Sequence, residues 1–255
     1  MSERFLPGVP GAEIESILNA APGNEIASGK FDSPESSAAL AINAFGFFLR
    51  RAFDLPPLPG CEEETWPARW LFLEAGLRFP WRGGRHPVLD CLVYTPSALI
   101  GIESKRFEPF RSRRSSSLSD AYWRPVWGER MGGYQRIRDG LRDGSGSFAH
   151  LDAAQLFKHA LALRSDVPRR GGGALRPILF YVYAEPEVWP ASGEAVDERA
   201  IVRHREEIET FGATVAYDEV RFVTCPWRRL LDAWATGADG RIRAHARAVT
   251  ARFSP

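Results

Sequence analysis

Two carboxylates and a lysine interrupt one apolar stretch of the chain, PVLDCLVYTPSALIGIESK. Its β-branched and aromatic residues predict two strands, Val88–Tyr94 and Leu99–Lys105, joined by a proline-containing turn. If residues 95–98 form that turn, the strands pair antiparallel, and Asp90 lies directly across from Glu103. Side chains that face each other in this way are about 5 Å apart. The spacing therefore predicts two close carboxylates on an otherwise apolar hairpin.

Two carboxylates this close repel each other and need a cation beside them. Lys105 lies on the same face of its strand as Glu103 and supplies one positive charge. A hard divalent cation would compensate them better, because Mg²⁺ prefers carboxylate oxygens as ligands; Mn²⁺ is an alternative ion. In the other interpretation, Asp90 and Glu103 are edge-strand carboxylates in water and Lys105 is their surface partner.

The pattern Pro87-x-x-Asp90 followed by Glu103-Ser104-Lys105 resembles that of the PD-(D/E)XK nuclease superfamily. The resemblance implies an α/β fold with a restriction-endonuclease-like core, in which helices flank a mixed central sheet and an antiparallel hairpin carries the site. It also implies hydrolysis of DNA phosphodiester bonds in restriction, defence or repair. Asp90 and Glu103 would hold the metal, and Lys105 would orient or deprotonate the attacking water. The alternative is a catalytically silent nucleic-acid-binding or interaction module on the same fold.

The same family often takes a further acidic ligand from its first core helix. Ser33-Pro34-Glu35 predicts the start of a helix that runs to about Phe53, which makes Glu35 a candidate metal ligand. A favourable interaction of Glu35 with the helix dipole is the alternative. Glu74, inside the predicted strand Trp70–Pro80, is a second candidate ligand. It could equally be an edge-facing carboxylate or the partner of an arginine.

A predicted helix over Asp152–Arg164 has one polar face, which carries Gln155, Lys158 and His159. In the family, a Gln or Lys of this helix often lies close to the scissile phosphate. Gln155 is therefore a catalytic candidate and Lys158 a nucleic-acid-binding candidate, with a solvated helix face as the alternative. His159 is a poor candidate metal ligand, since a single histidine fits badly into a site of oxygen ligands.

Four arginines flank a serine-rich segment after Lys105, with aromatic residues between them: Arg106, Arg111, Arg113 and Arg114. Basic and aromatic side chains together favour contacts with phosphates and unstacked bases. The alternative is a solvated loop whose aromatic residues cover the core.

Composition narrows the class of protein. The 255 residues are 44% hydrophobic and 25% charged, as in ordinary globular proteins. The chain has no apolar run long enough to cross a membrane and no signal peptide, and its three widely spaced cysteines suit a reducing compartment. We therefore expect a cytoplasmic protein that does not bind membranes. The net charge of +1 gives no general attraction to DNA, so DNA affinity must arise locally. Analogy with the superfamily suggests a homodimer.

The predicted organisation is an N-terminal extension over residues 1–32 and a single nuclease-like domain over residues 33–255. The elements are expected in the order helix, three strands, helices, strand, helix, strand and helix. The last four are predicted at Arg176–Ala184, Glu194–Phe211, Val220–Thr224 and Pro226–Ala235.

Overall fold

The computed structural model describes residues 4–23, 25–84, 86–111, 118–146, 148–171 and 174–255. In this part of the chain one sheet has five strands side by side in chain order: β1 Trp70–Gly76, β2 Val88–Tyr94, β3 Ala98–Lys105, β4 Arg176–Tyr183 and β5 Arg221–Pro226. The first three pair antiparallel, whereas β4 and β5 pair parallel to β3 and β4. The predicted α/β class with a mixed sheet is confirmed.

Helices cover both faces of the sheet, in two separate apolar cores. The first core includes side chains of α1 Gly11–Ala20, α2 Ser37–Gly46, α6 Trp227–Thr236 and α7 Gly240–Phe253. The second includes side chains of α3 Gly132–Asp143, α4 Ala153–Gly171 and α5 Glu198–Val215. None of the helices in the described residues is both long and apolar enough to span a bilayer.

The β2–β3 hairpin has the predicted register, from the Tyr94–Leu99 pair to the Cys91–Ile102 pair. Helix α4 packs directly over this hairpin at Gly101. A Cβ atom at that position would lie 2.6 Å from Leu89 Cδ1 on β2 and 2.9 Å from the methyl carbons of Leu163 on α4. The glycine is therefore needed for the close approach of the helix that carries Gln155 and His159.

The alternation of side chains reverses where β1 meets β2. Leu73 and Cys91, which are paired, belong to the first core, whereas Leu89 belongs to the second and Ala75 packs against it. On a regular strand, residues that are two positions apart share a face. The reversal occurs at Glu74, whose φ of 48° lies in the left-handed region that non-glycine residues rarely adopt. The strands are thus irregular at the acidic positions.

The first core helix differs from its prediction. It begins at Ser37, with the Ser36 hydroxyl accepting from the Ala39 N–H at 3.0 Å, and ends at Gly46. The Ser33 hydroxyl instead accepts from the Glu35 N–H, which closes a turn before the helix. The predicted helix start, with Ser33 as the N-cap and Glu35 in the first turn, was therefore wrong, since Glu35 precedes the N-cap Ser36.

The N-terminal segment, residues 4–32, contributes side chains to the first core. Ile14 and Leu18 of α1 are buried there together with Phe31. Residues from this segment also reach the cavity described next, so the segment bears directly on the site.

Candidate functional site

A cavity of about 460 Å³ lies at the end of the sheet where β1 and β3 finish and β2 begins. It brings together seven residues singled out in the sequence: Glu35, Glu74, Asp90, Glu103, Lys105, Arg111 and Gln155. The three hairpin residues come from strand ends, and Gln155 comes from α4, which packs over the hairpin. Residues up to 120 positions apart thus line one space.

Glu103 is buried between two nitrogen atoms. Its Oε1 lies 2.5 Å from Lys105 Nζ, and its Oε2 lies 3.1 Å from His159 Nε2. Burial alone would raise the pKa of Glu103, but the neighbouring Lys105 and His159 outweigh it and hold the pKa at about 2. Glu103 is therefore a carboxylate at every physiological pH.

Lys105 is the charge partner of this group. Burial by itself would lower its pKa, but the carboxylates of Glu103, Glu108 and Asp90 raise it above the ordinary value. Lys105 is consequently a charged ammonium that donates hydrogen bonds, and it has no free electron pair with which to take a proton.

Asp90 lines the same cavity as this pair, and its pKa is shifted in the opposite direction to that of Glu103. Its Oδ2 accepts from the Ser104 N–H at 2.6 Å, so the side chain replaces a ladder hydrogen bond beyond the Cys91–Ile102 pair. Burial, and next the charge of Glu103, raise the pKa of Asp90 well above its usual range, against the smaller effect of Lys105. Asp90 and Glu103 line the same cavity and interact electrostatically, but they do not form the predicted facing pair, because the regular ladder ends at Cys91–Ile102.

Glu74 adds a third carboxylate from the neighbouring strand. Burial raises its pKa to about 7, and the charges of Glu25 and Glu103 add to the effect. The strained backbone of Glu74 holds this side chain in the cavity, a situation that is most often found at functional positions. Glu25 also lines the cavity and comes from the N-terminal segment.

Glu35 and Arg111 form an ion pair at the rim of the cavity. Arg111 also lies 5.8 Å from the ring centre of Trp189. The carboxylate of Glu35 therefore already has a cation, and the charge of Arg111 is already compensated. In this arrangement Glu35 is less available to a metal, and Arg111 to a phosphate, than the sequence suggested.

The other predicted nucleic-acid contacts lie elsewhere. Arg106 is buried and donates from Nη1 to the Pro34 carbonyl at 2.5 Å and from Nη2 to the Phe253 carbonyl. This placement argues against a contact of Arg106 with DNA. Lys158 lies 5.7 Å from the ring centre of Tyr122 and does not line the cavity. Arg113 and Arg114 lie outside the described residues.

Sequence reasoning missed several members of the site. His159 was recognised as polar, but its contact with Glu103 depends on how closely α4 approaches the hairpin. Glu108 was not considered; it accepts from the Ser37 hydroxyl and from the Arg106 N–H. The only indication of Glu108 in the sequence was the presence of an acidic residue three positions after Lys105.

The cavity lining contains twice as many carboxylates as cations. The carboxylates are Glu25, Glu35, Glu74, Asp90, Glu103 and Glu108, and the cations are Lys30, Lys105 and Arg111. The oxygen atoms of this excess of carboxylates match the ligand chemistry of Mg²⁺ or Mn²⁺. Yet no three His, Cys, Asp or Glu side chains among the described residues converge closely enough to hold an ion. The oxygen ligands are of the kind that Mg²⁺ and Mn²⁺ prefer, but the ammonium of Lys105 lies beside Glu103, where such an ion would bind.

Comparison of the chain with protein-family models, with curated proteins and with solved structures found no match. Its function must therefore be inferred from the chemistry of this cavity.

Proposed function

We propose that the chain is a divalent-metal-dependent deoxyribonuclease with a restriction-endonuclease-like core, acting in restriction, defence or repair. The observation that carries the proposal is the convergence of buried Glu103 with partly buried Asp90 and Lys105 in one cavity at the open end of the β2–β3 hairpin. Structural ion pairs are normally balanced in charge, whereas this group has an excess of carboxylates that burial keeps from water.

The order of elements supports the same family. A helix precedes three antiparallel strands, and helices then lead to a strand that pairs parallel with β3. This is the order that the resemblance in sequence implies. A fold by itself does not determine activity, so the cavity residues remain the main support.

The cavity residues have distinct parts in the proposed reaction. A bound Mg²⁺ or Mn²⁺ would polarise the phosphate and lower the pKa of a water molecule. Asp90 and Glu103 would hold the ion, and Glu74 can join them by releasing its proton near neutral pH. Lys105, as an ammonium, would orient the water or a phosphate oxygen, and the amide of Gln155 would steady the phosphate. Proton abstraction by Lys105 finds no support in its raised pKa.

Cleavage of plasmid and single-stranded DNA with Mg²⁺ or Mn²⁺ tests the proposal. We expect Asp90→Asn and Lys105→Ala to lose cleavage by at least about a hundredfold, as when charge-stabilising groups are removed from other active sites. The matched control is Glu209→Gln, an exposed carboxylate of α5, which should cleave like the wild type. Full metal-dependent cleavage by Asp90→Asn would contradict the assignment.

One observation favours a second function, a catalytically silent nucleic-acid-binding or interaction module. Both oxygens of Glu103 already have nitrogen partners, so an ion would have to displace Lys105. Calorimetric titration with Mg²⁺ and Mn²⁺ separates the two functions without requiring turnover. Binding that disappears in Asp90→Asn supports the nuclease, whereas DNA binding without any divalent-ion binding supports the silent module.

A further inference from the structure

The outer strand of the sheet carries two exposed aromatic side chains, Trp70 and Phe72, with 57% and 45% of their surfaces accessible. Both rings pack edge-on against buried Tyr94 of β2, with ring centres 6.2 and 5.8 Å apart and interplanar angles of 80° and 81°. Two large rings are thus held by a third while much of their surface faces solvent. We call Trp70 and Phe72 the aromatic edge.

The aromatic edge lines a groove of about 510 Å³ together with Pro96, Leu175 and Arg69. Among the described residues that form this groove, Arg69 is the one charged side chain and no carboxylate is present. Flat aromatic surfaces beside an exposed arginine match the base and phosphate of a nucleotide. The composition is opposite to that of the acidic cavity.

The aromatic edge and the cavity lie on the same strand. Phe72 precedes Glu74 by two residues and Trp70 precedes it by four, which correspond to roughly 7 and 13 Å along a strand. These are distances that one or two nucleotides span. A nucleic-acid strand that is cleaved in the cavity can therefore reach the aromatic edge with the nucleotides that flank the cleaved bond.

The distribution of charge around the cavity also favours nucleic-acid binding at the aromatic edge. The acidic cavity repels a polyanion, Arg106 is buried, and Arg111 is paired with Glu35. The described cavity residues thus offer little free positive charge to a nucleic acid, which favours a binding surface outside the cavity. Stacking of bases on aromatic rings supplies such affinity without a large positive field.

We propose that the aromatic edge binds unpaired nucleobases of a single-stranded segment, with Arg69 contacting its phosphate. The proposal rests on the nuclease function, for which this segment flanks the cleaved bond. The alternative occupant of an exposed edge strand is a second copy of the chain, and the test below separates the two.

The test is binding of a fluorescein-labelled oligothymidylate, followed by anisotropy in EDTA so that no cleavage occurs. We expect Trp70→Leu and Phe72→Leu to weaken binding by about tenfold each, because leucine is apolar but cannot stack. Trp70→Phe should retain most of the affinity. Arg69→Gln should reduce the dependence of log affinity on log salt by about 0.7. The matched control is Tyr217→Leu, a 97% exposed aromatic residue outside the groove, which should bind like the wild type.

Wild-type affinity in both leucine variants, or no oligonucleotide binding by the wild type, would overturn the proposal. So would a wild-type dimer that Trp70→Leu dissociates while leaving oligonucleotide binding unchanged. Cleavage assays on the same proteins keep the two proposals apart. Metal-dependent cleavage with unaffected binding in the variants refutes the aromatic edge alone, whereas stacking-dependent binding without cleavage by any variant or the wild type refutes the nuclease alone. Because both side chains are exposed, we expect the leucine variants to remain folded, with thermal unfolding temperatures close to that of the wild type.

Discussion

Glu74→Gln should stabilise the metal-free protein at alkaline pH. Burial raises the pKa of Glu74 from its ordinary 4.5 to about 7, so the folded state binds this proton more tightly than the unfolded state does. Its contribution to stability is complete below pH 4.5 and is lost as the pH rises to about 7. Above pH 7 the partly buried carboxylate is ionised and its desolvation is uncompensated.

The magnitude follows from the two pKa values. At about 1.36 kcal/mol per pH unit, the difference between 4.5 and about 7 corresponds to about 3 kcal/mol. Glutamine is close in shape and carries no charge, so Glu74→Gln should raise the free energy of unfolding by up to about 3 kcal/mol at pH 8. At pH 4 the two proteins should have nearly equal stability.

Urea unfolding in EDTA at pH 4, 6 and 8 measures this difference, with Glu209→Gln as an exposed control expected to change stability by less than about 0.5 kcal/mol. Adding Mg²⁺ at pH 8 should stabilise the wild type more than Glu74→Gln if Glu74 joins the metal ligands. A stability difference between wild type and Glu74→Gln that does not change between pH 4 and pH 8 would refute the reasoning.

Three further predictions follow from side chains whose surroundings the structure defines. Arg106→Ala should cost about 3 kcal/mol in urea unfolding, because it leaves two carbonyls without their donor, and should leave the salt dependence of DNA binding unchanged; a reduced salt slope in a stable variant would restore Arg106 as a phosphate contact. Gly101→Ala should cost about 1–3 kcal/mol, since the added methyl group would press on Leu89 and Leu163, and an unchanged unfolding midpoint would contradict that packing. His159→Leu should raise the pKa of Glu103 from about 2, as followed by NMR titration of its carboxyl carbon; an unchanged pKa would mean that His159 does not influence Glu103.

The sequence alone determined the elements whose signals are local. The apolar runs around Pro96 predicted β2 and β3 and the pairs from Tyr94–Leu99 onward, because a strand's pattern and a short turn fix the register. Asp152 was correctly predicted to cap α4, and its Oδ1 accepts from the Gln155 N–H at 2.9 Å. A cap acts within one helical turn, so the sequence contains it.

Helices with distant partners were harder to predict. Helix α3, rich in glycine, is capped by Asp218, which accepts from the N–H groups of Gly133 and Tyr134 at 3.0 and 2.7 Å. That cap comes from more than 80 residues away, and no local signal reveals it. Helix α7 was not predicted, although it has a local signal in Asp239, which accepts from the Arg241 N–H.

The candidate site depended on tertiary structure in the same way. The types and spacing of Asp90, Glu103 and Lys105 were readable, because they lie within one hairpin. The place of Glu74 was not, since the loop between β1 and β2 left its register open and the strands reverse their faces at that position. Arg106 resembled its arginine neighbours in the sequence, yet it is buried and donates to the carbonyls of Pro34, before α2, and of Phe253 in α7. Charge and burial are properties of the assembled surroundings, and only the folded chain decides which carboxylate keeps its proton and which arginine meets solvent.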